Sequence, residues 1–372
     1  MSEPAAGVLI DIIAGARPNF MKIAPIIHAL NASRAAEQGI QYRLIHTGQH
    51  YDAKMSGEFF VQLNIPAPDI NLEVGSGTQA EQTAAIMVRY EAVLRDRLSD
   101  LCLVVGDVTS TMACTITARK MGVKVGHVEA GIRSGDWSMP EEINRVVTDA
   151  ITNLFFTTSE AANQNLKNAG ATDEQIFFVG NTMIDTLLAN LHRTTPPPFW
   201  DELALEPGGY FLMTLHRPGN VDNPEQLKAM LSSIGTACRE LPVVFPVHPR
   251  TLKNLDGIKI PANLKLVEPQ PYLPFIHLAR HAKAVITDSG GVTEETTVMG
   301  VPCLTLRDTT ERPETVTMGT NVLVGTDPGA LRPVLNQLFD GAWKQGAIPD
   351  LWDGKAGKRI VEVLLGLYGS KV

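Results

Sequence analysis

The feature that most constrains this 372-residue chain is a repeated alternation: short, nearly continuous apolar runs, each closing on polar residues or glycine, separated by segments of helical spacing. The first half contains VLIDIIA, YRLIHT, LCLVVGD, VKVGHVEAG, LFFTTS and QIFFVGN; the second contains YFLMTLHR, VVFPVHP, LKLVEP, AVITDSGG, VPCLTLRD and NVLVGT. Strands that are apolar on both faces belong in parallel sheets covered by helices on either side, so the fold class is α/β with doubly wound sheets. The first series makes one sheet of about six strands. A composition break at Thr194–Pro198 (TTPPP), with more turn residues at Pro207–Gly209, separates it from the second.

With 44 % hydrophobic and 19 % charged residues, the chain is long enough for two domains, each with its own core. A net charge of −8 argues against a nucleic-acid backbone or an anionic membrane as partner, and an anionic ligand would need locally concentrated positive charge. Cys102, Cys114, Cys238 and Cys303 lie in apolar stretches without metal-ligand spacing, so they read as buried hydrophobes in a reducing cytosol and no metal is expected. No apolar run approaches the roughly 20 residues of a membrane span, and MSEPAAG reads as a short exposed tail before a cytoplasmic enzyme.

Ligands of open parallel sheets bind outside the carboxyl ends of the strands, which makes the polar residues there the candidates for chemistry. Gly126–Asn153 is the densest such stretch: Glu129 ends a strand, a Gly-rich loop follows, and Pro140 opens a helix with Glu141, Glu142, Asn144, Arg145 and Asp149. Glu129 lies between a strand and a glycine with no helix to cap, which favours a functional role. Glu142 reads either as a functional acid or as a partner of the helix dipole, and Asp107 either as a functional acid or as an N-cap. GARPN and the helix after it bring Arg17 and Lys22 to a strand-to-helix junction suited to an anion, although neither a P-loop nor a GxGxxG fingerprint is present. TGQHYD puts Gln49, His50 and Asp52 on a loop at the same edge.

In the second half, DSGGVTEE offers Ser289, Gly290 and Gly291 at a helix start, where free backbone N–H groups could hold a diphosphate without metal. Glu295 reads either as a ribose ligand or as an exposed helical glutamate, and the loop RDTTERPE adds Arg307, Thr309, Glu311 and Arg312. No carboxylate or cysteine stands at ligand spacing from His216 or His248; His216 reads as a proton carrier or hydrogen-bond donor to a leaving phosphate, and His248 as a ligand or a structural histidine.

GARPNFMKIAP, TGQHYD, VVGDVTST, HVEAGIRSGD, MPEEINR, GNTMIDTL, TLHR, PVHPR, PQPYLPF, TDSGGVTEE and RDTTERPE together resemble the non-hydrolysing UDP-N-acetylglucosamine 2-epimerases, from about Val8 to Gly325. The resemblance implies the GT-B fold, two Rossmann-like domains facing across a cleft. On that basis residues 1–178 form the first domain, 179–356 the UDP-binding second domain, and the helix 357–372 packs back on the first. It also implies a cytoplasmic homodimer, no cofactor, and a supply of precursors for surface polysaccharide. The implied reaction inverts C2 of UDP-N-acetylglucosamine to give UDP-N-acetylmannosamine by elimination of UDP to a 2-acetamidoglucal and re-addition. By resemblance Asp107, Glu129 and Glu141 are the acid/base groups and His216 serves the leaving phosphate. Arg17, Lys22, Ser289, Gly290 and Gly291 hold the diphosphate, Glu295 the ribose and Phe275 the uracil, with Arg133, Arg145, His248 and Arg312 completing the UDP-sugar contacts.

The chain departs from the family pattern in two places. Asp52 stands where many bacterial members carry a second glutamine associated with a regulatory UDP-GlcNAc site, and HRPGNVD replaces the usual glutamate-asparagine after HR. TGQHYDAKMSGEFF also looks like relatives acting on 2,3-diacetamido uronic acid sugars. The alternatives are therefore a 2-epimerase of such a modified sugar, a hydrolysing 2-epimerase, a GT-B glycosyltransferase, and a noncatalytic nucleotide-sugar binder. Clustered carboxylates argue against the last, since negative charge gains nothing in binding a dianion.

Overall fold

The computed structural model describes residues 7–369 apart from 34, 36 and 49–61, and the side chains of Arg17, Pro249 and Arg250 also lie outside the described part. The TGQHYD motif beyond Gly48 and the position of Asp52 therefore fall outside the described residues.

Two compact units emerge, Met1–Thr186 with Asp350–Val372, and Leu187–Pro349. In the first, the chain runs β1 (Val8–Ala14), α1 (Arg17–Ala32), β2 (Ile40–His46), β3 (Ile70–Asn71), α2 (Gln79–Asp96), β4 (Leu101–Val105), α3 (Thr109–Lys120), β5 (Lys124–Ala130), α4 (Pro140–Ile151), β6 (Leu154–Thr157), α5 (Glu160–Asn168), β7 (Ile176–Phe178) and the start of α6 (Thr182–Asn190). The strands form a parallel seven-stranded sheet in the order β3-β2-β1-β4-β5-β6-β7. The sheet exceeds the six expected strands by β3, whose two residues pair with Ile45 and His46 and are too few to leave an apolar pattern. Helix starts follow their sequence signals: Thr78 and Glu81 cap α2 reciprocally, and the Ser159 hydroxyl accepts the Ala162 amide at the head of α5.

The second unit runs β8 (Phe211–Thr214), α7 (Pro218–Val221), α8 (Pro224–Ala237), β9 (Val243–Pro246), α9 (Pro249–Asn254), β10 (Leu264–Val267), α10 (Tyr272–His281), β11 (Ala284–Thr287), α11 (Gly290–Met299), β12 (Cys303–Thr305), α12 (Pro313–Thr317), β13 (Asn321–Leu323) and α13 (Leu331–Phe339). Its six parallel strands take the order β10-β9-β8-β11-β12-β13. One core packs the inner face of β8, β9 and β11 against α8 and α13 through Phe211, Phe245, Met230 and Leu335; another packs Tyr210, Leu212 and Val285 against Leu278 of α10. All four cysteines are free and buried.

The chain then returns to the first unit as α14 (Ala356–Tyr368), which packs on α1. Gly357 is required there, because a Cβ would lie 2.6 Å from the Pro25 carbonyl oxygen. The units divide at 186/187 and 349/350 instead of 178/179 and 356/357, and the contacts explain why. The first half of α6 belongs to the first unit, where the Thr186 hydroxyl donates to the Met21 carbonyl and Asp185 accepts the amides of Ala356 and Gly357 at 3.1 and 2.7 Å. The return begins as early as buried Trp352, whose indole N–H donates to the Thr158 carbonyl at 2.9 Å.

Candidate active site

In the first unit the polar residues collect at the carboxyl ends of β1, β4 and β5. The turn after β1 is held by Asn19, whose side-chain oxygen accepts the amides of Gly15 and Ala16 at 3.0 and 2.9 Å while its amide donates to the Val105 carbonyl. This turn places Lys22, one turn into α1, beside the end of β4, where a Cβ on Gly106 would sit 3.1 Å from Nζ. Lys22 forms a buried ion pair with Glu129. Glu129 is 5 % exposed and stands where the β5–β6 register slips, with a left-handed φ of 71°. Such a bulge re-aims a side chain, and the left-handed backbone of a non-glycine residue costs on the order of 1–3 kcal/mol. The strand end is then pinned by Gly131, whose amide donates to Asp149 and whose carbonyl accepts from Asn165.

Asp107 is not the N-cap of α3, a position taken by Val108. Its carboxylate instead accepts Arg145 Nη1 at 2.6 Å, and its carbonyl accepts the Asn144 amide at 2.8 Å. Arg145, 2 % exposed, is a hub: Nε donates to Glu142 at 2.9 Å and Nη2 reaches Ser134 Oγ at 3.2 Å. Glu142 also accepts the amides of Ser134 and Gly135, both at 3.0 Å. Burial pushes its carboxyl pKa up, but those amides and Arg145 more than offset this and hold it below the ordinary range. Glu142 thus ties the Gly-rich loop to α4. Neighbouring Glu141 faces solvent and makes no hydrogen bond or ion pair among the described residues. Arg133 is engaged by Asp149 at 2.6 Å.

The second unit has the complementary chemistry. Asp288, wholly buried at the end of β11, lies 2.7 Å from His216 Nδ1 and accepts the backbone amides of His216 and Arg217 at 3.0 and 2.9 Å. Burial pushes its pKa up, yet His216, the Arg217 amide and Asn220 together keep it lowered. His216 is thereby oriented through Nδ1, while its side chain stays 51 % exposed. Ser289 caps α11 without a side-chain cap bond, and a Cβ on Gly290 would meet Glu311 Oε1 at 2.5 Å, whereas Gly291 has open space. Glu311 is held by Arg307 and, at 3.7 Å, by Arg217. Burial opposes its ionisation, but these guanidinium groups and Arg312 bring its pKa down to about 2.

Arg307 of the loop RDTTERPE is 5 % exposed. Its Nη1 is buried with no hydrogen-bond partner among the described residues and points at the start of α11, as an anion-binding donor would. Arg312 is buried against Glu294. Glu295 is not an exposed helical glutamate: it is 4 % exposed, accepts the Tyr272 hydroxyl at 3.0 Å, and is pushed by burial up to about 8. Phe275 packs half-buried on the core of this unit, and His248 is exposed. Among the described residues no group of three or more His, Cys, Asp or Glu side chains could hold a metal ion, and no helix is long and apolar enough to cross a membrane.

Residues 32–365 match the family model for UDP-N-acetylglucosamine 2-epimerase. A protein of that name from Methanocaldococcus jannaschii is 41 % identical over 375 residues, covering 97 % of this chain and 99 % of the relative. The crystal structure of the UDP-GlcNAc 2-epimerase of that organism in complex with UDP-GlcNAc and UDP superposes with a TM-score of 0.86 at 40 % identity, over 96 % of this chain and all of the other. A UDP-2,3-diacetamido-2,3-dideoxy-D-glucuronate 2-epimerase from Pseudomonas aeruginosa is 39 % identical over 316 residues, covering 84 % of this chain and 87 % of the relative. With its two Rossmann-like parallel-sheet units of GT-B type, the chain belongs to the UDP-N-acetylglucosamine 2-epimerase family.

Proposed function

We propose that this protein inverts C2 of a UDP-N-acetylhexosamine, converting UDP-GlcNAc to UDP-ManNAc. A base removes the C2 proton while the C1–oxygen bond to UDP breaks, giving a C1=C2 double bond. The glucal is then protonated at C2 from the opposite face, and a diphosphate oxygen of UDP re-forms the bond to C1. Asp107, Glu129 and Glu141 supply the acid/base groups, and His216, oriented by Asp288, serves the leaving diphosphate. Arg17, Ser289, Gly290, Gly291 and Arg307 act on the diphosphate, Glu295 on the ribose and Phe275 on the uracil. Lys22 acts chiefly on Glu129, and Arg145 acts through Asp107. The active species is a cytoplasmic homodimer.

The observation that carries the reading is Glu129: a buried carboxylate, ion-paired to Lys22, on strained backbone at the sheet edge where this fold places its chemistry. Packing alone does not call for such a group there. Purified protein incubated with UDP-GlcNAc in D2O without acceptor should incorporate deuterium at C2 and give two UDP-sugars by NMR. Free UDP with N-acetylmannosamine would instead mean hydrolysis. The similarity to the Pseudomonas enzyme favours a second reading, in which the same reaction runs on a 2,3-diacetamido uronic acid sugar. Inert UDP-GlcNAc with exchange on that substrate would select it.

A further inference from the structure

His127 stands in the interior of β5, wholly buried, with an oxygen at each ring nitrogen: Asp149 Oδ1 is 2.7 Å from Nδ1 and the Gly106 carbonyl is 2.8 Å from Nε2. A carbonyl oxygen can only accept, so Nε2 carries a hydrogen. At the other end the hydrogen sits on Nδ1 or on the carboxyl, and the second oxygen of Asp149 decides which. Oδ2 accepts from the Arg133 guanidinium at 2.6 Å and from the Gly131 amide at 3.1 Å, and both donors favour a carboxylate. With both of these donors on Oδ2, Asp149 is the carboxylate and the hydrogen sits on Nδ1.

We propose that His127 is a buried imidazolium, protonated at both nitrogens, clamped between Asp149 and the Gly106 carbonyl as a positioning residue for the acids of the reaction. Gly106 immediately precedes Asp107, its amide donates to the Val128 carbonyl at 3.0 Å, and Gly131 follows Glu129 by two residues. One side chain thus ties the ends of β4 and β5 to α4. A neutral ring would set a nitrogen lone pair against an oxygen at one of its two contacts, and that strand end would shift. The inference rests on the reading above for the identity of the acids, but the protonation state does not.

The wild-type protein, labelled with 15N-histidine, should show one buried histidine with protons on both ring nitrogens. The signal should vanish in His127→Gln. In Asp149→Asn, whose amide can donate to Nδ1, that nitrogen should lose its proton while Nε2 keeps one. In the C2-exchange assay His127→Gln should lower kcat by about 100-fold, the scale of a misplaced reacting group, with KM changed by less than about threefold. A single protonated nitrogen in the wild type, or a variant whose KM alone rises, would overturn the proposal. Because the NMR arm needs no substrate, wild-type protein inert toward both sugars would count against the proposed reaction while leaving the imidazolium readable.

Discussion

The two sheets share one strand plan and reverse its charge. In the first, the order β3-β2-β1-β4-β5 brings the ends of β1, β4 and β5 together, and acids stand there backed by cations: Glu129 by Lys22, Asp107 and Glu142 by Arg145, Asp149 by Arg133. In the second, β10-β9-β8-β11-β12 brings together the equivalent ends, and the basic groups are backed by acids: the His216 imidazole by Asp288, Arg307 and Arg217 by Glu311, Arg312 by Glu294. Topology selects the place and says nothing of the sign. Each of these buried groups is set against a partner of opposite character, because an unpaired ion at such a buried edge would cost several kcal/mol.

The sharpest way to break this comparison is to remove the proton-carrying capacity from one side only. Glu129→Gln keeps the shape and a hydrogen-bonding partner for Lys22 but cannot take a proton. C2 deuterium exchange should fall by about 100-fold or more, with UDP affinity by calorimetry near that of the wild type. Near-normal exchange would remove Glu129 from the mechanism and leave its strained backbone without a purpose. On the other side, Asp288→Asn should act through His216. Its amide would face donors that now find a carboxylate, at a cost of roughly 1–3 kcal/mol, so turnover should drop by about 10- to 100-fold. A drop equal to that of Glu129→Gln would mean that the two edges do not differ in role as described.

How much of this was readable beforehand follows from where each partner lies in the chain. The alternation of apolar strands and helices was legible because it is local. The two-residue β3 was not, since its pairing depends on β2 and not on its own pattern. Between the adjacent acids Glu141 and Glu142, local pattern could not decide which turns inward; the arginine three residues after Glu142 was the available signal, and Arg145 does bind it at 2.7 Å. His127 is marked in the sequence as a histidine inside an apolar run, but its partner Asp149 lies 22 residues away. Other buried ion pairs join residues far apart in sequence, Lys22 with Glu129, Arg145 with Asp107 and Arg133 with Asp149, which is why local pattern did not name those partners.

A smaller effect tests the second edge at backbone level. Gly290→Ala would place a Cβ 2.5 Å from Glu311 Oε1, forcing that carboxylate off Arg307, whereas Gly291→Ala meets nothing within 4 Å. Thermal unfolding should show Gly290→Ala destabilised by about 1–3 kcal/mol, the range for overpacking, and Gly291→Ala unchanged or slightly stabilised, as for alanine in a helix. Equal stabilities would mean that Glu311 is not held where the charge pairing requires.

A last test concerns a buried acid of the second unit whose hydrogen-bond partner is a hydroxyl and not a cation. Glu295 is pushed by burial from 4.5 to about 8, with Tyr272 donating to it and Glu294 adding repulsion. Its folded-state pKa lies above its unfolded one, so between those two values the folded protein binds the extra proton. The stability linked to this group is complete below about 4.5 and is lost as pH rises through about 8. Glu295→Gln mimics the protonated form and should remove that loss. Unfolding midpoints measured across this window should therefore fall less steeply with pH in the variant than in the wild type. Because the variant keeps a neutral side chain at the same place, parallel curves would show that Glu295 is ionised throughout and that the two edges hold their acids alike.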